Sequence, residues 1–310
     1  MTRSFRFAVQ ATKLIDLDEV RTLAKQVEGF GYDEFYSSDH VGTAIGINSV
    51  DPLLCLVAAA GVTTRLRVGT LVLNNEFHQP ALLARAAISA DQMTAGRFVL
   101  GMGTGYAQIE HDAIGMPLLA PGARVTRFGE SLQVLRELCD GGACSFDGKH
   151  HTIEVDDFGI RPVQEHIPFL IGGHGRRVVS LGARHADIFQ FTGLTHADDG
   201  TPSGGGFAFE QIAERAQWLS EAARERDVDI ERSTLVQHTA IGAKQHAATL
   251  ANDRFDQYRD IIADTPFMLS GSLEQVIDKV ESLREQLGIS HFVVRDAEGF
   301  APVVQALAGK

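Results

Sequence analysis

Cysteine is scarce: Cys55, Cys139 and Cys144 are the three among 310 residues, no CxxC spacing joins them, and one is left over from any pairing. Neither a disulfide scaffold nor a structural zinc site is indicated, and reduced, cytoplasmic surroundings are expected. Long apolar runs are also missing. None reaches the roughly 18 residues of a membrane helix, and MTRSFRFAVQ lacks a sustained apolar stretch with a small-residue cleavage site. The expectation is a soluble, unexported protein. Basic residues are in deficit, 28 Lys and Arg against 40 Asp and Glu, and the formal charge of −12 repels nucleic-acid phosphates and anionic headgroups. Neither nucleic acid nor membrane is expected as a partner. No HxH or HExxH spacing gathers the 12 histidines, which weighs against a metal-dependent hydrolase built on Asp39, His40, His78 and His238; no metal site is expected.

What is present is an ordinary globular composition, 44% hydrophobic and 22% charged. Short β-branched and aromatic segments alternate with longer amphipathic ones. Strands are expected at 5–10, 33–37, 66–73, 98–102, 168–171, 187–191, 234–241 and 291–294. Helices are expected at 17–30, 51–62, 81–93, 124–139, 176–183, 209–226, 243–262 and 272–287, with another after the last strand. Asp16 with Glu19, and Ser272 with Gln275, read as capping boxes that satisfy the orphan N–H groups of a first helical turn. The continuous apolar run of 66–73 suits a parallel strand covered on both faces. Asp147-Gly148 between CSF and HHTIEV signals a β-hairpin, so 141–161 reads as a small insertion rather than a second domain. The stretch 195–207, with DDGTPSGGG at its centre, has little to bury and reads as a flexible loop, either a lid or a passive segment; 242–266 reads as a helical insertion near the barrel mouth.

Eight strand–helix units fit an open doubly wound sheet or a closed barrel. No GxGxxG follows the first strand, where FAVQATKLID stands, so the expected fold is α/β, a single (β/α)8 TIM barrel over 1–310. In such a barrel, function gathers where the strands end. Two Gly-rich segments lie there, GMGTGY at 101–106 and IGGHGRR at 171–177, the second opening directly into a helix. Their glycines let backbone N–H groups approach an anion, and the helix N-terminus adds about half a unit of positive charge. A phosphate site is one reading and plain tight turns the other; Arg176 and Arg177 favour the first. Asp39-His40 follows the second strand. A histidine with an unperturbed pKa of about 6.5 carries protons at working pH once a neighbour fixes its tautomer, which makes His40 the leading acid/base candidate. The bland alternative is a helix cap followed by a surface histidine.

With DEFYSSDH, RVGTLVLNN, RFVLGMGTGY and FLIGGHGRR in this order, and PFMLSGSLEQVIDKV and GISHFVV later, the chain resembles the bacterial luciferase-like superfamily, within it the coenzyme F420-dependent oxidoreductases. The resemblance runs from about residue 5 to 295. It implies a barrel whose mouth binds an isoalloxazine-like ring over a bulge after the third strand, usually with a non-prolyl cis peptide; here that would be Leu71-Val72. It also implies cofactor phosphate against Gly172, Gly173, His174 and Gly175, with Arg176 or Arg177 nearby, and a site shaped by Gly103, Thr104 and Gly105. Asp39 would approach the ring and His40 would transfer the proton. Relatives that oxidise a sugar phosphate carry a tryptophan shortly after that histidine and a glutamate after GTG, where Ala44 and Tyr106 stand, so a sugar phosphate is not the expected substrate. A deazaflavin carries a hydride two electrons at a time. The resemblance therefore implies hydride transfer between F420 and a small organic substrate, with His40 as acid/base and Tyr106 assisting. An FMN-dependent monooxygenase and a catalytically silent cofactor-binding protein are the alternatives. A homodimer is also implied, and 51–62 and 81–93 are apolar for solvent-facing helices.

Overall fold

The computed structural model describes residues 3–42, 48–196, 202–203, 206–224, 226, 228–250, 260–261 and 263–310. Ala44 and most of the Gly-rich stretch 198–206 lie outside the described residues, as do 251–259 and 262 of the expected helix 243–262.

Eight parallel strands close into a barrel: β1 (Arg6–Ala11), β2 (Glu34–Ser37), β3 (Arg67–Thr70), β4 (Phe98–Gly103), β5 (Phe169–Gly173), β6 (Ile188–Phe191), β7 (Glu231–Leu235) and β8 (Ile289–Val294). Each pairs with its sequence neighbour, β8 pairs with β1, and β4 pairs with β5 through Leu170 opposite Gly101. The expected TIM barrel is therefore the observed fold. Side chains alternate along each strand. Phe7, Val9, Phe35, Val68, Phe98 and Phe292 point outward into the layer beneath the helices. Ala8, Tyr36, Val99, Leu170, Ile188 and Val293 fill the lumen. Gly69 is required there, since a Cβ on it would stand 2.6 Å from Cε1 of Tyr36.

The barrel is wrapped by α1 (Leu17–Phe30), α2 (Pro52–Ala60), α3 (Pro80–Met93), α4 (Gln108–Ile114), α5 (Pro121–Gly141), α6 (Arg176–His185), α7 (Phe209–Ala223), α8 (Ala243–Leu250), α9 (Leu273–Leu287) and α10 (Ala297–Leu307). At α9 the capping box is complete: Ser272 Oγ accepts the Gln275 N–H, and Gln275 Oε1 accepts the Ser272 N–H. At α1 the box is half made. Asp16 accepts the Glu19 N–H, but Glu19 reaches back to the N–H of Ile15 instead of Asp16. Residues 144–147 and 152–155 form an antiparallel ribbon beyond α5.

Two expected strands run differently. The stretch 66–73 leaves the β3 pairing after Thr70; the Leu71-Val72 peptide is cis, and Leu73–Asn74 then pairs with β4. The stretch 234–241 is split. β7 ends at Leu235, Gln237 donates to the Phe267 carbonyl, and His238–Ile241 pairs with Met268–Gly271 in a separate two-stranded sheet. Hydrophobicity carried no sign of the first change of partner, whereas in 234–241 the polar Gln237-His238 pair falls at the break.

At the strand N-termini an ionic plug closes the barrel floor. Glu34, 1% exposed, lies 3.0 Å from Arg6, 3.6 Å from Arg67 and 3.0 Å from Nε2 of His291, and accepts the Tyr36 hydroxyl at 2.6 Å. Arg6 also binds Glu231. Burial alone would raise the Glu34 pKa, but Arg6, His291 and Arg67 hold it well below the usual carboxylate range.

Candidate functional site

At the opposite end, the last residues of β2 turn outward and present Asp39 and His40. Asp39 Oδ2 accepts the Asn74 N–H at 3.0 Å and lies 2.8 Å from Nε2 of His78, so this carboxylate braces the segment that follows β3. That segment is fixed from other sides as well. Gln10 of β1 donates to the Leu71 carbonyl at 2.8 Å, and Arg127 of α5 pairs with buried Glu76 at 3.0 Å. Leu71 is buried and Val72 half-buried. Val72 has glycine on both sides: a Cβ at Gly103 would stand 2.8 Å from its Cγ2, and one at Gly172 3.7 Å from its Cγ1. Val72 thus forms a floor to which β4 and β5 contribute only backbone, an arrangement that accommodates a flat ring.

After β4 the chain turns through Thr104 and Gly105, both half-buried. Gly105 has a φ of +70°, and a Cβ there would come 2.0 Å from Oδ1 of Asn74, so this turn and the bulge are packed directly together. Tyr106 then places its ring edge-on to His40 at 6.3 Å between centroids. Burial and the neighbouring Glu110 push the Tyr106 hydroxyl up to about 12, against a lowering by Arg295, so it remains a hydrogen-bond donor at neutral pH.

Glu110 and α4 were not legible beforehand. The side chain of Glu110 is 3% exposed; Oε1 accepts the Val41 N–H at 2.8 Å, and its two oxygens lie 3.1 and 3.2 Å from Nδ1 of His40. Next to it, buried His111 has Nε2 3.3 Å from Nδ2 of Asn74 and its ring 4.9 Å from Phe77. A single turn of α4 therefore ties the end of β2 to the bulge after β3. The helix spans seven residues, too few for a clear amphipathic period, but Glu110-His111 directly after a Gly-rich turn was the available signal.

On the β5 side, Gly172, Gly173, His174 and Gly175 are half-buried and run into α6. Gly175 is the N-cap residue, no side chain caps the helix, and no acidic residue occupies its first turn. A Cβ at Gly175 would meet nothing within 4 Å, so there is open space beside this uncapped helix start, which suits a phosphate. His174 has a lowered pKa, from burial and then from Arg215, and stays neutral at pH 7. The two arginines divide. Arg176 lies over the Trp218 ring at 5.6 Å, whereas Arg177 donates to the Gly122 carbonyl and Thr126 Oγ1 of α5. Arg177 also lines an open groove of about 440 Å³ between α5 and α6, away from the strand ends. Near the mouth centre, Arg295 after β8 donates to Gln10 and Gln237, both at 3.0 Å. His238 lies 2.8 Å from Thr249 Oγ1.

Comparison with known proteins agrees with this geometry. The family profile of luciferase-like monooxygenases matches residues 2–248. An F420-dependent glucose-6-phosphate dehydrogenase of Microbacterium testaceum is 28% identical over 191 residues, covering 60% of this chain and 56% of that protein. An uncharacterized protein of Mycobacterium tuberculosis is 29% identical over 170 residues, covering 49% of this chain. The chain spans less than two thirds of the length of these curated relatives, 59% in the second case. Among solved structures, the coenzyme F420-dependent tetrahydromethanopterin reductase of Methanopyrus kandleri superposes with a TM-score of 0.72 at 17% identity, covering 99% of both chains. A long-chain alkane monooxygenase gives 0.76 at 15% identity, covering 99% of this chain and 92% of the other. At these identities the two structures report on the fold alone.

Proposed function

The chain belongs to the luciferase-like monooxygenase family, and from that premise we propose that it is an F420-dependent oxidoreductase acting on a small organic substrate. The observation that carries the reading is the uncapped start of α6 behind Gly175, opening at the same end of the barrel as His40. One relative is named for F420, which supports this cofactor, and another is named as a monooxygenase, which supports the FMN alternative. When bound, a deazaflavin supplies hydride transfer in two-electron steps.

The protein's part is binding, orientation and proton management. Backbone N–H groups from Gly175 onward would hold the phosphate, with Gly172 and Gly173 leading into that turn. Val72 would support the ring. His40 takes the proton from a substrate hydroxyl, or returns it to a carbonyl, while the Tyr106 hydroxyl donates a hydrogen bond toward the same oxygen. Arg177 is occupied at α5, so Arg176 is the arginine left to approach the phosphate. A homodimer through α2 and α3 belongs to the same reading, since Leu54 is 72% exposed and Leu82 57% exposed. Sedimentation of the wild type against Leu54→Glu tests it; a monomeric wild type rejects it.

The deciding experiment titrates the protein with F420 and with FMN, following fluorescence. Tight F420 binding with FMN at least about tenfold weaker supports the proposal. FMN binding alone, with rapid oxygen consumption after reduction, turns the reading to a monooxygenase. Binding of neither removes it.

A further inference from the structure

Resting on the reading above, we propose that Glu110 is the positioning residue for His40: it holds the imidazole with its proton on Nδ1 and so leaves Nε2 as the base that faces the mouth. The paired groups sit on different elements, His40 on the β2 exit and Glu110 in α4, and the contact is made where solvent is nearly excluded. The Glu110 side chain is 3% exposed and that of His40 15%. An ionised carboxylate only accepts hydrogen bonds. One Glu110 oxygen already accepts the Val41 N–H at 2.8 Å, the residue directly after His40, so the carboxylate cannot swing away without releasing a backbone amide. Both its oxygens remain within 3.2 Å of Nδ1, and the partner at that nitrogen selects the tautomer.

The neighbouring acid does not compete for this role. Asp39 is turned to Asn74 and His78, 3.0 and 2.8 Å away. Nε2 of His40 has no protein hydrogen bond among the described residues, and Tyr106 stands beside the ring. The chain therefore determines one face of the imidazole and leaves the other to the substrate. The opposing view is that Glu110 merely braces the turn at Val41.

The two views separate with Glu110→Gln. The glutamine Oε1 still accepts the Val41 N–H, so a brace survives, but its NH₂ then faces Nδ1 and drives the imidazole proton to Nε2. The readout is the imidazole nitrogen spectrum of ¹⁵N-histidine-labelled protein without cofactor, with His40 assigned by its loss in His40→Gln. Expected are an Nδ1–H tautomer in the wild type, an Nε2–H tautomer in Glu110→Gln, and retention of Nδ1–H in Glu110→Asp. In turnover, Glu110→Gln loses about a hundredfold in kcat with KM and cofactor affinity nearly unchanged, and Glu110→Asp recovers part of it. A wild type with its proton on Nε2, or a Glu110→Gln variant that keeps the wild-type tautomer, overturns the proposal. The wild-type spectrum suffices if the variant fails to fold. Failure to bind F420 or FMN removes the proposed function but leaves the tautomer result standing, so the two failures are told apart.

Discussion

At the barrel floor Glu34 meets Arg6, Arg67, His291 and the Tyr36 hydroxyl, whereas at the mouth Glu110 meets one imidazole and one backbone amide. The residue types are the same: carboxylate, histidine, tyrosine. The floor surrounds one buried carboxylate with two guanidinium groups, an imidazole and a hydroxyl and packs beneath the luminal side chains, so its charges hold strand ends together. At the mouth, Nε2 of His40 makes no protein hydrogen bond among the described residues, and the helix start at Gly175 has no side-chain cap. On the proposed reading, chemistry belongs to the end whose polar groups are left for a ligand.

That contrast can be broken most severely at the floor. Glu34→Ala strips Arg6 and Arg67 of a buried partner and should cost about 3–5 kcal/mol, read as a lower urea midpoint; an unchanged midpoint would mean that the plug is ornamental. At the mouth the effect should fall on rate. His40→Asn should lower turnover about 10²- to 10⁴-fold while cofactor affinity and melting temperature stay near the wild type. Equal turnover removes His40 from proton transfer, and a collapse in affinity makes it a binding residue.

Acid sharpens the comparison further. The folded state holds the Glu34 carboxyl below its usual range, so its contribution is complete above the unfolded value of about 4.3 and is lost as pH falls below it. The stability gap between wild type and Glu34→Gln should therefore narrow from pH 5 downward, measured by denaturant titration at each pH. A constant gap would assign the stabilisation to packing. The smallest expected effect lies away from both ends. Ser272→Ala removes one half of the capping box of α9 and should cost about 1 kcal/mol in thermal unfolding with no change at the mouth.

The alternation of apolar segments made the barrel legible, because each parallel strand is buried on both faces and each helix on one. The residues at strand ends followed from the fold, and IGGHGRR could be placed at a helix start from its glycines alone. What escaped notice depended on contacts distant in sequence. Glu110 lies 70 positions from His40, and apart from its place after the Gly-rich turn QIEHDAI does not announce a buried carboxylate. The divergence of Arg176 from Arg177 likewise follows from which face of α6 meets α5 and which meets α7. The early end of β3 was implied by the family resemblance rather than by hydrophobicity, which runs on unbroken through Leu73.

The central claim is that backbone amides at the β5–α6 junction grip an anionic cofactor tail, and its most direct test compares F420 with the same deazaflavin ring lacking the phosphate-bearing tail, on wild type and on Gly175→Asp. An aspartate at this N-cap position has room for its Cβ and would satisfy the helix N–H groups itself. The account predicts that the wild type prefers the phosphorylated form at least about tenfold, and that Gly175→Asp loses this preference while keeping or raising its melting temperature. Equal affinity of the wild type for the two forms, or an unaltered preference in Gly175→Asp, would contradict it.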